Sequence, residues 1–388
     1  MRTMKRDIIT SFLTLQDELK SLSQFIYENP ESDFKEEKCC NYIVNLLKTH
    51  GFTIKEKFLD INTSFYASFG KGHPKICYIC KYSATEYGHI HGNNINCMMS
   101  IGAAIALSKT ISEYDGSVII LGCPGSNFNG AELTITKQGI LEDMDVILSA
   151  HAFNENLQSG TSMSVIPVEI NFTSKEILGE GIINSSPLDG CLLAFNTLGM
   201  MIKNSNDKCT IDGVSINSSE KPYTTPSKAC AKFFVRGAKL NSCKCINIGL
   251  KSFLCNLCSI LNIDYSIGMF DLPCRELLSN KVLSDLFTNN LKQCGIIDIN
   301  CCRDIPYGLS IGAISHTTPC IYPSIDITNN EKIKYPSLEF HKLSNSDYAI
   351  KQGFKSAKAL ALTALDILET PNLLKEMTME LYRNTNPL

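Results

Sequence analysis

The chain has 388 residues, 44% of them apolar, with a mean hydropathy near zero and a formal net charge of −3. That length exceeds what one hydrophobic core usually serves, so two domains are expected, and the composition excludes a disordered chain. Lys and Arg are scattered, no run of about 18 apolar residues occurs, and the N-terminus lacks an apolar secretory core. The expectation is therefore a soluble, cytoplasmic protein with no nucleic-acid footprint and no membrane contact.

Residues 7–28 place Ile8, Phe12, Leu15, Leu19, Leu22 and Ile26 at helical spacing, ending before Asn29-Pro30. A second helix is predicted from about Glu36 to Thr49, closed by Gly51. Strands are predicted at Ala67–Phe69 and Ile76–Tyr82, a helix at Ser100–Tyr114, and strands at Ser117–Gly122 and Asp145–Ala150. Continuous apolar runs of this kind suit parallel strands covered on both faces, which gives an α/β layered domain. From about Pro167 the pattern changes. Residues 168–173 alternate, a helix follows at Gly190–Lys203, strands at Cys209–Ile216 and Ala229–Val235, a helix at Ser242–Leu261 and a strand at Ile263–Ile267. That order is ferredoxin-like α+β. The first pattern resumes after Pro273 with helices at Leu277–Cys294 and Asn345–Leu368, the latter stopped by Pro371. The predicted domains are 1–167 plus 275–388, and 168–274.

Eighteen cysteines lie mostly in apolar runs and read as buried thiols. The pairs Cys77/Cys80 and Cys255/Cys258 sit on a strand and at helical spacing, without the turn residues of a zinc knuckle. The segment Tyr82 to Asn94 is the most informative. It sets His89 and His91 just before the apolar stretch Met98–Leu107, where a metal site would be built, yet it supplies no carboxylate suited to bridging two ions. The chain has only seven histidines.

In chain order, several motifs resemble those of the M20 metallopeptidase and amidohydrolase family, which includes aminoacylases, hippurate hydrolases and aminobenzoyl-glutamate hydrolases. Ile26 to Glu31, Glu36-Glu37 and Leu46 to Phe52 resemble its opening; Tyr82 to Asn94 resembles E-Y-D-A-L-P … G-H-A-C-G-H-N; Gly122 to Asn127 resembles G-T-P-A-E-E. Asp145 to His151 resembles a strand ending in a ligand histidine, Ser186 to Gly190 resembles A-P-W-D-G, and Ser310 to Ser315 resembles D-M-G-N-V-S. The resemblance implies a zinc-peptidase-like α/β/α catalytic domain interrupted by a dimerising lid.

Carried over position by position, the resemblance leaves little of the family's two-metal chemistry. The ligand cysteine falls on His91 and the next ligand histidine on Asn93. The two glutamates, one of them the general base, fall on Ser126 and Asn127. The strand-end histidine is His151. The last ligand histidine falls near Tyr335 and Pro336, the lid histidine near Ile182, the lid asparagine on Tyr223 and the late aspartate on Ser310. Neutral ligands cannot compensate two neighbouring cations, so no metal is expected. The alternative is one zinc or other divalent ion on His91 and His151 with His89 or Cys123. Glu86 and Glu132 are candidate substitute bases but read as solvated carboxylates, and Cys123 reads as a packed thiol rather than a nucleophile. Tyr322 joins the expected pocket.

The functional expectation is a protein that has lost dinuclear hydrolysis. It would bind a small amide or acyl-amino-acid-like ligand and pair as a homodimer or with a homologue. An active mononuclear amidohydrolase and metal-free acyl or amide chemistry are the alternatives. Filling of the pocket by Tyr82, Tyr322 or Ile182 would count against the last.

Overall fold

The computed structural model describes residues 2–126, 129–175, 186–205, 207–218, 225–329 and 332–386. In chain order the first elements are α1 (Arg2–Glu28), α2 (Glu37–Thr49), β1 (Thr53–Glu56), β2 (Phe65–Lys71), β3 (Lys75–Cys80), α3 (Asn93–Ile111), β4 (Gly116–Gly122), α4 (Glu132–Lys137), β5 (Val146–Leu148) and β6 (His151–Phe153). There follow β7 (Ser162–Ser174), α5 (Pro187–Lys203), β8 (Thr210–Ser218), β9 (Lys228–Gly237), α6 (Leu240–Leu261) and β10 (Ile263–Gly268). The last are α7 (Lys281–Gln293), β11 (Ile305–Gly308), α8 (Ile311–Ile314), β12 (Cys320–Ile321), β13 (Ser324–Asp326), α9 (Leu338–Leu343), α10 (Asp347–Glu369) and α11 (Pro371–Thr385).

The chain divides into two compact units, one of Met1–Thr161, Leu277–Asp304 and Ala313–Leu388, the other of Ser162–Glu276 and Ile305–Gly312. The first unit is built on a six-stranded sheet of order β1-β2-β4-β3-β5-β12. Strands β4, β3, β5 and β12 run parallel, whereas β1–β2 and β2–β4 are antiparallel. At this edge β1 reaches β2 through a short connection that an antiparallel pair permits. Alternation along the central strands buries both faces. Ile76, Tyr78, Cys80, Val118 and Ile120 join the core that includes α1, α3 and α10, while Cys77, Ile79, Ile119 and Leu121 are buried on the other side.

Helix α1 buries the six apolar positions expected of it. Helix α3 is buried on almost every side, which an amphipathic helix would not tolerate. Close packing requires small residues there; a Cβ on Gly102 would lie 2.8 Å from Leu19 Cδ1. Its start is corrected from Ser100 to Asn93, because the polar turn Asn93-Asn94-Ile95-Asn96 is buried with its amides hydrogen-bonded. Helix α10 ends at Glu369, before Pro371 as expected, and is followed by one more helix. Pro371 opens that helix, where a missing N–H costs nothing.

The second unit is a five-stranded sheet, β10-β7-β9-β8 with β11 pairing β7, and the helices α5 and α6. Its core takes Val168, Ile170 and Phe172 from β7, Phe233 and Val235 from β9, and Leu198, Leu250 and Leu254 from the helices. Helix α5 starts with a reciprocal capping box between Ser186 and Asp189. Helix α6 is long and apolar enough by composition to cross a membrane, but here Ile246, Leu250, Leu254 and Cys258 pack into this core. All cysteines are free thiols, most of them buried.

Candidate functional site

In the first unit, loops at the ends of β3 and β4 and the strand β6 bring polar groups together at the carboxyl side of a buried sheet, the usual place for ligands in α/β folds. Parallel pairing of β6 with β13 sets His151 opposite Ser324 and so brings Tyr322 beside it. His151 is buried, and both ring nitrogens are engaged: Nε2 lies 2.7 Å from Tyr335 Oη, and Nδ1 lies 3.1 Å from Tyr322 Oη and 3.3 Å from Asn96 Nδ2.

The proton on His151 can be assigned from its neighbours. Asn96 Oδ1 accepts from the Ala152 N–H at 2.7 Å, so the Asn96 amide nitrogen faces Asn93 Oδ1, 2.9 Å away, and His151 Nδ1. Nδ1 is then an acceptor and the neutral ring donates through Nε2 to Tyr335. Burial, with His91 and the Lys81 ammonium nearby, pushes the His151 pKa down to about 3. Asn93 donates in turn to the Ser83 carbonyl at 2.8 Å. The rings close around this hub: Tyr322 stacks on His151 at 5.2 Å, and Tyr335 meets Phe153 and Phe340 edge-on at 4.6 and 4.9 Å.

His91 is half-buried, its ring 5.9 Å from that of Tyr335, and burial together with Lys81 lowers its pKa to about 4. Gly92 between His91 and α3 is left-handed (φ +67), and a Cβ there would strike Ala152 Cβ at 2.7 Å, so the turn that aims His91 demands glycine. His89 is directed elsewhere. Its Nε2 bonds the Ile26 carbonyl at the end of α1 at 2.8 Å, and its backbone N–H donates to His341 Nδ1 at 3.1 Å.

The other half of the cleft is held by charge. Lys81, the residue after β3, places its ammonium 2.7 Å from Glu132 Oε1 and 3.0 Å from the Ser126 carbonyl. Glu132, expected to be solvated, has no exposed surface because the first turn of α4 points it inward. Gly130 makes the room, since a Cβ there would sit 2.0 Å from Glu132 Oε2. Buried Glu36 joins the flanking loops: it accepts from Thr63 Oγ1 and the Gly125 N–H, each at 2.9 Å, and from the Ser83 hydroxyl. Asp33, before α2, is pushed up to about 6 by burial and by Glu36.

Among the remaining sequence candidates, Cys123 is fully buried, and burial beside Glu132 drives its thiol far above the ordinary range, so it is no nucleophile. Ser126 is partly exposed, its hydroxyl accepting from the Asn129 N–H at 3.2 Å. Glu86 is exposed on the loop tip. Tyr82 is buried with its hydroxyl on the Thr63 carbonyl. Ser310 belongs to the second unit and is buried there. Asn127, Ile182 and Tyr223 lie outside the described residues. Sequence reasoning missed Lys81, Asn96 and Glu36. The available signal was polar residues in otherwise apolar stretches, above all the Asn93/Asn96 pair one helical turn apart.

These residues do not fit a pair of metal ions. Among the described residues no three His, Cys, Asp or Glu side chains converge as a ligand set. His151 would have to release both tyrosines, His91 remains a single neutral ligand, and a buried ammonium already supplies positive charge beside them.

No family model matches the chain. Mouse Xaa-Arg dipeptidase is 22% identical over 390 residues, spanning 94% of this chain and 89% of that protein. The structure of the aminobenzoyl-glutamate utilization protein from Klebsiella pneumoniae superposes with a TM-score of 0.73 at 10% identity, covering 92% of this chain and 98% of the other. A dinuclear metal-binding peptidase of the M20 family from Bacillus subtilis superposes with a TM-score of 0.64 at 14% identity, covering 92% and 99%. The chain thus shares the fold of these amidohydrolases and peptidases and is similar to the dipeptidase along nearly its whole length.

Proposed function

We propose that this member of a family of amidohydrolases and peptidases has lost dinuclear hydrolysis and acts as a ligand-binding pseudoenzyme for a small amide or acyl-amino-acid-like molecule. The observation that carries the reading is the commitment of both His151 nitrogens to Tyr335, Tyr322 and Asn96. A metal ligand must present a free lone pair, and here Nε2 carries the proton while Nδ1 is already an acceptor. Ser126, at the position of the family's general base, has no proton-accepting strength at neutral pH, and losing such a base costs roughly two to four orders of magnitude in rate. His91, Tyr335 and Ser126 are neutral hydrogen-bonding groups suited to an amide, and residues 168–274 serve in this reading as the lid through which the chain pairs with itself or a homologue.

The test is hydrolysis of N-acyl amino acids and dipeptides by the purified chain with added Zn²⁺, Mn²⁺ or Co²⁺, beside calorimetric titration of the same compounds. Binding without turnover is expected. Metal-stimulated turnover that disappears in His91→Ala/His151→Ala would overturn the reading.

A further inference from the structure

Away from the cleft, the first unit carries an open groove of about 510 Å³ between α1 and α10, bounded by Cys294 at the end of α7. Its volume falls within the range of roughly 300–1,000 Å³ typical of small-molecule sites. Part of the lining is apolar. Phe12 and Leu13 come from α1, and Ile350 and Phe354 from α10; Leu13 is 73% exposed.

The rim is cationic although the chain as a whole is acidic. Lys20 is answered by Asp347 at 3.3 Å. Lys351, Lys355 and Lys358, on successive turns of α10, have no carboxylate within ion-pair distance among the described residues. Lys355 bonds the Gly295 carbonyl at 2.9 Å and Lys358 stands 5.9 Å from the centre of the Phe12 ring, so both ammonium groups are held at the edge of the apolar lining. Like charges crowded on one helix face repel and are retained at a cost unless something anionic answers them. Burial and the neighbouring Lys351 already hold the Lys355 pKa below its ordinary value.

We propose that this groove binds a free acyl carboxylate, its chain on Phe12, Leu13 and Phe354 and its head between Lys351, Lys355 and Lys358. The apolar lining supplies area for the chain, and the ammonium groups supply charge-assisted hydrogen bonds that a carboxylate accepts and an alcohol does not.

Calorimetric titration of dodecanoate, below its micelle concentration, into the full chain tests this. Saturable one-site binding is expected, weaker by roughly tenfold or more for dodecanol and for the Lys351→Gln/Lys358→Gln variant. Leu13→Asn, at an exposed position that leaves folding intact, lowers affinity for dodecanoate while acetate binds neither protein. Equal affinity for acid and alcohol, indifference to the lysine variant, or binding only to vesicles containing anionic lipid and not to the free acid would each overturn the proposal.

Discussion

Around His151 the cleft is closed by neutral hydrogen bonds, and around Lys81 by a pair of opposite charges. The two halves are held by different means, and in the lysine half Glu132 Oε2 is left without a hydrogen-bond partner. The histidine half depends on a proton staying where the network puts it, so it is sensitive to pH. The lysine half depends on two full charges staying together, so it is sensitive to truncation of either partner.

Acid should separate the halves most strongly. His89 and His91 are lowered to about 4 and His151 to about 3, from the ordinary 6.5. The unfolded chain therefore takes up protons first as pH falls below 6.5, and each buried histidine removes about 1.4 kcal/mol of stability per pH unit until its folded-state value is reached. Asp33 works in the opposite direction, since a carboxyl raised to about 6 favours the folded state at low pH and loses that contribution as pH rises through 6. The three histidines outweigh it. Urea unfolding from pH 7 to pH 4 is expected to show a steep fall in stability; a flat profile would mean that the imidazoles are not buried and neutral.

Truncating the ion pair comes next. Lys81→Met leaves Glu132 charged and buried, which costs about 3–5 kcal/mol, whereas the double change Lys81→Met/Glu132→Leu is expected to recover most of that loss. Thermal unfolding of the single and double variants checks this, and additive losses would mean that the two charges do not depend on each other.

Smaller effects sharpen the histidine half. Tyr335→Phe leaves the Nε2 proton of His151 without its acceptor and should cost about 1–3 kcal/mol. Tyr322→Phe should cost less, about 0.5–1.5 kcal/mol, because Asn96 still donates to Nδ1. The reverse order, measured by denaturant unfolding, would indicate that the His151 proton sits on Nδ1.

How much of this was legible in the sequence follows from the range of the interactions. The spacing of Ile8, Phe12, Leu15, Leu19, Leu22 and Ile26 is a local property, and it reports the buried face of α1 directly. The start of α3 was hidden because Asn93, Asn94 and Asn96 read as loop, and only partners such as the Ser83 and Ser344 carbonyls and Asn93 Oδ1 make them helix. At the site, the unusual histidines drew attention, but their chemistry is fixed by residues far along the chain. Tyr335 lies 184 positions from His151, and Glu132 lies 51 from Lys81. A lysine after an apolar strand, and a glutamate opening a short helix, each read as solvated until folding brings them together.

The most direct measurement is the metal content of protein purified without chelator, by inductively coupled plasma mass spectrometry. No stoichiometric zinc, manganese or cobalt is expected, because His151 is occupied and Lys81 already supplies the charge. A tightly bound pair of ions lost in His91→Ala/His151→Ala would contradict the loss of the dinuclear site.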